Sequence, residues 1–364
     1  MASKTVRPLS SPAPSGGAAF GKLLAGTLAG GGLLAALLGV VLARREAPPA
    51  VALLRTQQYV RAVAFSPDGR TLATGGGCFD QSAEVVLWDV AGAVMRASLG
   101  GHTAAVEAVA FAPDGRTLAT ASYDGTVKLR DVSTGQERRS LPVCSQPLLA
   151  VAFSPDGRAL ALAGYEGVVQ VWDLAGRKQR ARFAGHTGPV HALAYAPDGR
   201  TLASAGGRYD RAGEVRLWDL ATGRPRPLSG HSGAVLALAF SPDGRTLATA
   251  AKDQTVILWD VATGRARTTL RGHTGEVEAV AFAPDGRTLV TGGQDQTVRA
   301  WSAASGEQRG LLEEANGPVL ALAYAPDGRR LAVGAKYRTV KLLEWQAAGG
   351  GPTPKVLRKP LPLP

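Results

Sequence analysis

Cysteine is nearly absent, with only Cys78 and Cys144 in 364 residues. Two thiols cannot build a disulfide framework or a four-cysteine zinc site. Acid is scarce beside base: 29 Asp and Glu stand against 41 Lys and Arg, a formal charge of +12. Such an excess suits an anionic membrane surface or nucleic acid. It equally suits a GC-rich genome that favours Arg, Ala, Gly and Pro. The arginines follow a turn periodicity without aromatic interleaving, so no specific nucleic acid is expected. Also missing are a phosphate-cradling glycine loop, metal-ligand spacing and a nucleophile elbow. Hence no cofactor, no metal and no catalytic residue is expected. The 45% apolar content is enough to bury a core in one large domain or two to three ordinary ones.

Charge is missing altogether from Leu23 to Ala43. As a helix these 21 residues reach across a hydrocarbon core of about 30 Å. The run exceeds the apolar region of a cleaved signal peptide, although Val41-Leu42-Ala43 would serve as a cleavage triplet. The expectation is a retained transmembrane helix at 23–43, behind a polar basic tail at 1–22. Gly26 and Gly30 form a small-xxx-small pair of the kind that lets two such helices dimerise. Basic residues nearly balance across the run: Lys4, Arg7 and Lys22 against Arg44, Arg45, Arg55 and Arg61. The expected orientation puts the N-terminus inside the cell and the remainder outside.

What is abundant is repetition. Pro-Asp-Gly occurs seven times, each two residues after an aromatic: Phe65, Phe111, Phe153, Tyr195, Phe240, Phe282 and Tyr324. The steps between them are 46, 42, 42, 45, 42 and 42 residues. One unit, GHTGEVEAVAFAPDGRTLVTGGQDQTVRAWS (272–302), holds three short runs of alternating apolar residues, the pattern of half-buried strands. Segments such as Arg265–Leu270 supply a fourth. A four-stranded sheet buries both faces only when stacked on its neighbours. Seven units therefore predict an all-β, seven-bladed β-propeller of four-stranded antiparallel blades over about 51–345, with a Gly/Pro-rich basic tail at 346–364.

With its Gly-His, turn Asp and Leu-Trp-Asp at these spacings, the chain resembles the WD-repeat (WD40) family over about four-fifths of its length. The resemblance implies a hydrogen-bonded tetrad inside each blade: His before strand a, Ser/Thr on b, Asp in the b–c turn and Trp on c. By position these are His186, Ser204, Asp210 and Trp218 in blade 4. Blade 5 has His231, Thr249, Asp253 and Trp259, and blade 6 has His273, Thr291, Asp295 and Trp301. Blade 2 departs at Arg130. Blade 3 departs at Cys144, Leu162 and Glu166, and blade 7 at Ala315, Val333, Tyr337 and Leu343. Apolar packing is expected to hold blades 3 and 7. A His-Ser/Thr-Asp set copied blade after blade braces sheets, whereas catalysis needs one exposed constellation.

Twelve residues before each later strand-a aromatic stands a large apolar residue that ends an outer strand. The same count back from Phe65 reaches Leu53. Residues 51–54 are therefore expected to close blade 7, with 44–50 as a short linker to the anchor. That linker would set the face of the a–b and c–d turns against the bilayer. This face carries an Arg after every Pro-Asp-Gly: Arg70, Arg116, Arg158, Arg200, Arg245, Arg287 and Arg329. Such a ring would meet anionic headgroups at about 1 kcal/mol per well-placed charge.

On the opposite face, the resemblance implies partner contacts at two positions per blade. The residue before the b–c Asp gives Phe79, Tyr123, Tyr165, Tyr209, Lys252, Gln294 and Lys336. The residue four before the strand-a aromatic gives Arg61, Glu107, Leu149, His191, Leu236, Glu278 and Leu320. Aromatic anchors beside charges make a recognition patch. The expected function is a membrane-anchored, non-catalytic scaffold that binds a protein or peptide partner on this outward face. The alternatives are a sensor of a small molecule or cell-wall component, and a propeller enzyme acting at the channel mouth.

Overall fold

The computed structural model describes residues 52–78, 81–142 and 146–344. The expected helix at 23–43, the residues flanking it and the tail at 346–364 lie outside the described residues. Among the described residues no helix is long and apolar enough to cross a membrane. The chain divides into two compact units, Met1–Ala47 and Pro48–Pro364, and everything described below belongs to the second.

Every element among the described residues is a strand, and the strands form seven four-stranded antiparallel sheets. Blade 5 shows the plan: strand a is Val235–Phe240, b is Thr246–Ala251, c is Val256–Asp260 and d is Ala266–Leu270. Strand b is buried at every position, because it has a neighbour at each edge and another blade over each face. Strand d lies at the rim and buries one large apolar residue, Leu270, at 3% exposure. The core is correspondingly divided into layers between blades. One layer joins Leu217 and Leu228 of blade 4 to Val235, Leu247 and Trp259 of blade 5.

The Pro-Asp-Gly turns work as their chemistry requires. In blade 1 the Asp68 carboxylate accepts the amide of Arg70 at 3.0 Å, and Gly69 N–H donates to the Ser66 carbonyl at 2.8 Å. The glycine takes the left-handed conformation in all seven turns, with φ between 67° and 70°.

Seven innermost strands surround a central channel of about 250 Å³, walled by one alanine per blade from Ala62 to Ala321. Strand a of blade 1 (Val60–Phe65) packs against strand a of blade 7 (Val319–Tyr324), so the ring is closed. Blade 7 takes its outer strand from the start of the propeller. Ala52–Arg55 pairs antiparallel with Thr339–Glu344, setting Leu54 opposite Val340 and Arg55 opposite Thr339. Leu54 is 2% exposed and packs with Val60, Leu72, Trp88, Val340 and Leu342 across the blade 7–blade 1 seam. Leu53, the residue reached by counting back twelve, is 45% exposed. The connection into blade 1 is one residue shorter than the others, and a one-residue slip in a strand exchanges its faces.

Leu54→Ala should lower unfolding stability by about 2–4 kcal/mol, because it empties a buried site on the closing seam. Leu53→Ala should change it by less than about 0.5 kcal/mol. Chemical denaturation of both variants gives the comparison.

Candidate functional site

The polar tetrads are internal braces. In blade 5 the Trp259 indole N–H donates to Thr249 Oγ1 at 2.8 Å, and Thr249 Oγ1 lies 2.8 Å from His231 Nε2. His231 Nδ1 meets Asp253 Oδ2 at 3.0 Å. Indole can only donate, so the threonine hydroxyl accepts from Trp259 and donates to Nε2, leaving the proton on Nδ1 for Asp253. Blade 6 repeats this with His273, Thr291, Asp295 and Trp301. Blade 2 keeps His102, Thr120 and Asp124. Burial raises the Asp253 carboxyl, but bonds from His231, Thr255 and the Ser232 amide outweigh it and hold the group below the usual carboxylate range.

Blade 4 corrects the sequence reading. Asp210 is solvent-facing and, among the described residues, pairs with Arg208 alone, at 3.5 Å. The acid beside His186 is Glu214, whose Oε2 lies 3.2 Å from His186 Nδ1, off the hydrogen-bond direction. Glu214 also accepts the Thr187 amide at 3.2 Å. The longer b–c loop carries Asp210 away from the sheet. The longer side chain at the first residue of strand c then reaches back in its place. Ser204 still links His186 (2.6 Å) to Trp218 (2.7 Å). Three polar contacts elsewhere were not foreseen from the sequence. Buried Arg130 donates to the Gly100 carbonyl where five other blades have Trp. Gln170 accepts from Trp172 in blade 3 at 3.2 Å. In blade 1 Gln58 donates to the Ser82 carbonyl at 2.9 Å. Blade 7 has Ala315, Val333 and Leu343 in one apolar cluster.

The opposite face owes its display to a repeated irregularity. In every blade the pairing of strands a and b slips by one residue, between Val60 and Ala62 in blade 1 and between Val277 and Ala279 in blade 6. The extra residue is Arg61, Glu107, Leu149, His191, Leu236, Glu278 or Leu320. A bulge re-aims the side chain it carries. Glu107, Leu149, His191, Glu278 and Leu320 line the channel, while Arg61 and Leu236 are not among its lining residues.

Around this mouth the b–c turn residues gather. Tyr123 and Tyr165 meet edge to face with ring centres 5.5 Å apart. Tyr209 stands 6.1 Å from His191, and the Lys252 ammonium lies 3.9 Å above the Tyr209 ring. Lys252 also pairs with Glu276 at 3.0 Å, Gln294 donates to Glu278 at 2.6 Å, and Arg61 pairs with Glu107 at 3.3 Å. Lys336 is exposed. Phe79 lies outside the described residues. Burial pushes both Glu107 and Glu278 above the usual carboxylate range, against the pull of Arg61 on the first and of the Gln294 bond on the second. Burial lowers His191 to about 4, so its ring is neutral near pH 7. Among the described residues no group of three or more His, Cys, Asp and Glu could hold a metal ion.

On the turn face all seven arginines that follow Pro-Asp-Gly are exposed. In each turn the Asp accepts the arginine's backbone amide, as Asp243 does from Arg245 at 3.0 Å. The carboxylate is occupied by the turn, and the guanidinium projects beyond it.

Comparison with known families finds the profile described as "WD40: WD domain, G-beta repeat" at 51–89, 94–131, 135–173, 177–219, 224–260, 264–302 and 306–343. Comparison with curated proteins returns no match.

Glu214→Ala should destabilise the propeller by about 1–2 kcal/mol, since it strips Thr187 of its acceptor and His186 of its acidic neighbour. Asp210→Ala should be nearly neutral, within about 0.5 kcal/mol. Equal effects in thermal melts would contradict the exchange of roles.

Proposed function

The chain belongs to the WD40 repeat family, and on that premise we propose a membrane-anchored, non-catalytic scaffold whose channel-mouth face binds a protein or peptide partner. Propellers of this family typically serve as protein-interaction scaffolds without catalysis. What carries the reading is the bulge-aimed ring and the tyrosine arc beside it. Tyr165 and Tyr209 are 39% and 64% exposed, large rings that the propeller's own packing does not consume. Aromatic anchors encircled by charged groups at a concave mouth are the composition of an interaction hot spot.

Crosslinking pull-down from the native host compares wild type with the Tyr123→Ala, Tyr165→Ala, Tyr209→Ala triple variant. Loss of specific partners from the variant, with its melting temperature unchanged, is the expected result. Recovery of the same partners by both would remove the arc from the binding surface.

The anchor is the other half of the proposal and rests on the charge-free run Leu23–Ala43. The exposed guanidiniums of the turn face support docking on anionic lipid, and the propeller is proposed to lie outside the cell. The chain should pellet with membranes after carbonate washing, and protease added to intact cells should digest the propeller. Changing the seven turn arginines to Gln should weaken binding of the full chain to anionic vesicles by at least about tenfold at low salt. A chain washed off by carbonate defeats the anchor; unchanged vesicle binding defeats the lipid ring.

A further inference from the structure

The channel mouth has more acceptors than donors. Two of its three cations are committed, and the third, Lys336, is exposed to solvent. Arg61 donates through Nε to the Gly77 carbonyl at 3.2 Å and through Nη1 to Glu107. Lys252 holds Glu276 and lies over Tyr209. The acceptors are less well served. Glu278 takes a single amide bond, from Gln294, and forms no ion pair among the described residues. Glu107 Oε1 is buried and accepts no aligned hydrogen bond, although Arg61 Nη1 is 3.3 Å away. His191 hydrogen-bonds the Gly207 backbone, whose own amide already donates to Pro189, so the imidazole gives its Nδ1–H to the Gly207 carbonyl. That leaves the Nε2 lone pair buried without a partner beside the channel.

Each class of ligand meets this arrangement differently. A carboxylate or phosphate would face three acceptor groups and a buried negative charge. A neutral amide would answer one lone pair and bring Glu278 no charge beyond the through-space pull of Lys252 and Arg61. A cation with several N–H donors answers both, and the ring faces of the arc suit it, as Lys252 over Tyr209 already demonstrates. Below the mouth, the channel wall is alanine with Leu149 and Leu320, a surface for an aliphatic stem. Its volume of about 250 Å³ suits one extended side chain.

Resting on the reading of this face as the partner-binding one, we propose that the partner inserts a single basic side chain, lysine or arginine, into the channel mouth. Its charged head is received by Glu278, Glu107 and the His191 Nε2 lone pair, and its stem lies against the channel wall. The protein's own charge works against nonspecific capture of such a ligand. A chain of formal charge +12 draws acidic peptides, so selection of basic ones is diagnostic.

The test is selection of random dodecapeptides displayed on phage against the full chain, followed by affinity measurements on the selected peptides. Lys or Arg should be enriched at one position by about fivefold or more over the unselected library. Binding should weaken about tenfold when that residue becomes norleucine, and about tenfold in Glu278→Gln. The two losses should not add when combined. Glu107→Gln, equally isosteric, gives an independent arm should Glu278→Gln fold poorly. Selected peptides without a basic residue, or binding indifferent to both Gln variants but abolished by the tyrosine triple variant, would overturn the cation while leaving the face as the binding surface. Failure to select any peptide, or binding indifferent to all three variants, would overturn both.

Discussion

A four-stranded sheet with two apolar faces is stable in water only when something covers each face. In this chain the cover for every blade is the next blade, and the arrangement has no end at which a bare face would be tolerated. Closure therefore governs everything else. It is achieved by one short strand, Ala52–Arg55, whose hydrogen bonds to blade 7 and buried Leu54 join the two ends of the propeller. The ends of the chain segment are tied by pairing within a blade, and the blade 7–blade 1 seam is packed like the other six.

Once the ring is closed, the blades need not resemble one another in chemistry. Blades 5 and 6 brace their outer strands with full His-Thr-Asp-Trp networks. Blade 4 does so with a glutamate from a different position, blade 2 with a buried guanidinium, and blade 7 with apolar side chains alone. Each solution answers the same requirement, that polar atoms removed from water find partners, or that few are buried; blades 2 and 4 meet it less fully, leaving Arg130 Nε and His186 Nδ1 without an aligned bond. The blades without the tetrad sit between neighbours that clamp them on both sides. This is why loss of a network in one blade does not forfeit the fold.

The sequence revealed the architecture through local chemistry that leaves little choice. Pro-Asp-Gly encodes a turn whose glycine must take positive φ, and two-residue alternation encodes strands. Blade number and strand order followed from counting these. Registers across loops of unequal length were beyond counting. The b–c insertion of blade 4 displaced Asp210, and the shortened entry to blade 1 exchanged Leu53 for Leu54. Arg130 was legible as a departure, but its partner, like that of Gln170, is set by three-dimensional proximity. The mouth residues were located by family position. The reason for their display, a bulge in every strand a, leaves no signature in a pattern such as V-x-A-V-A-F.

That bulge explains how one fold separates stability from recognition. The residues on either side of it, such as Val60 and Ala62, remain in the interblade core and tolerate little change. The extra residue between them is released from the ladder and from the packing of its own sheet. Its identity is accordingly free to vary, and it does: Arg, Glu, Leu, His, Leu, Glu and Leu occupy seven equivalent places. Charged groups at such positions are set partly out of water, where unpaired acceptors such as Glu107 Oε1 and His191 Nε2 are costly to leave unmet. A mouth that retains them is poised for a donor from outside, and the cost of burying them becomes part of the free energy available on binding.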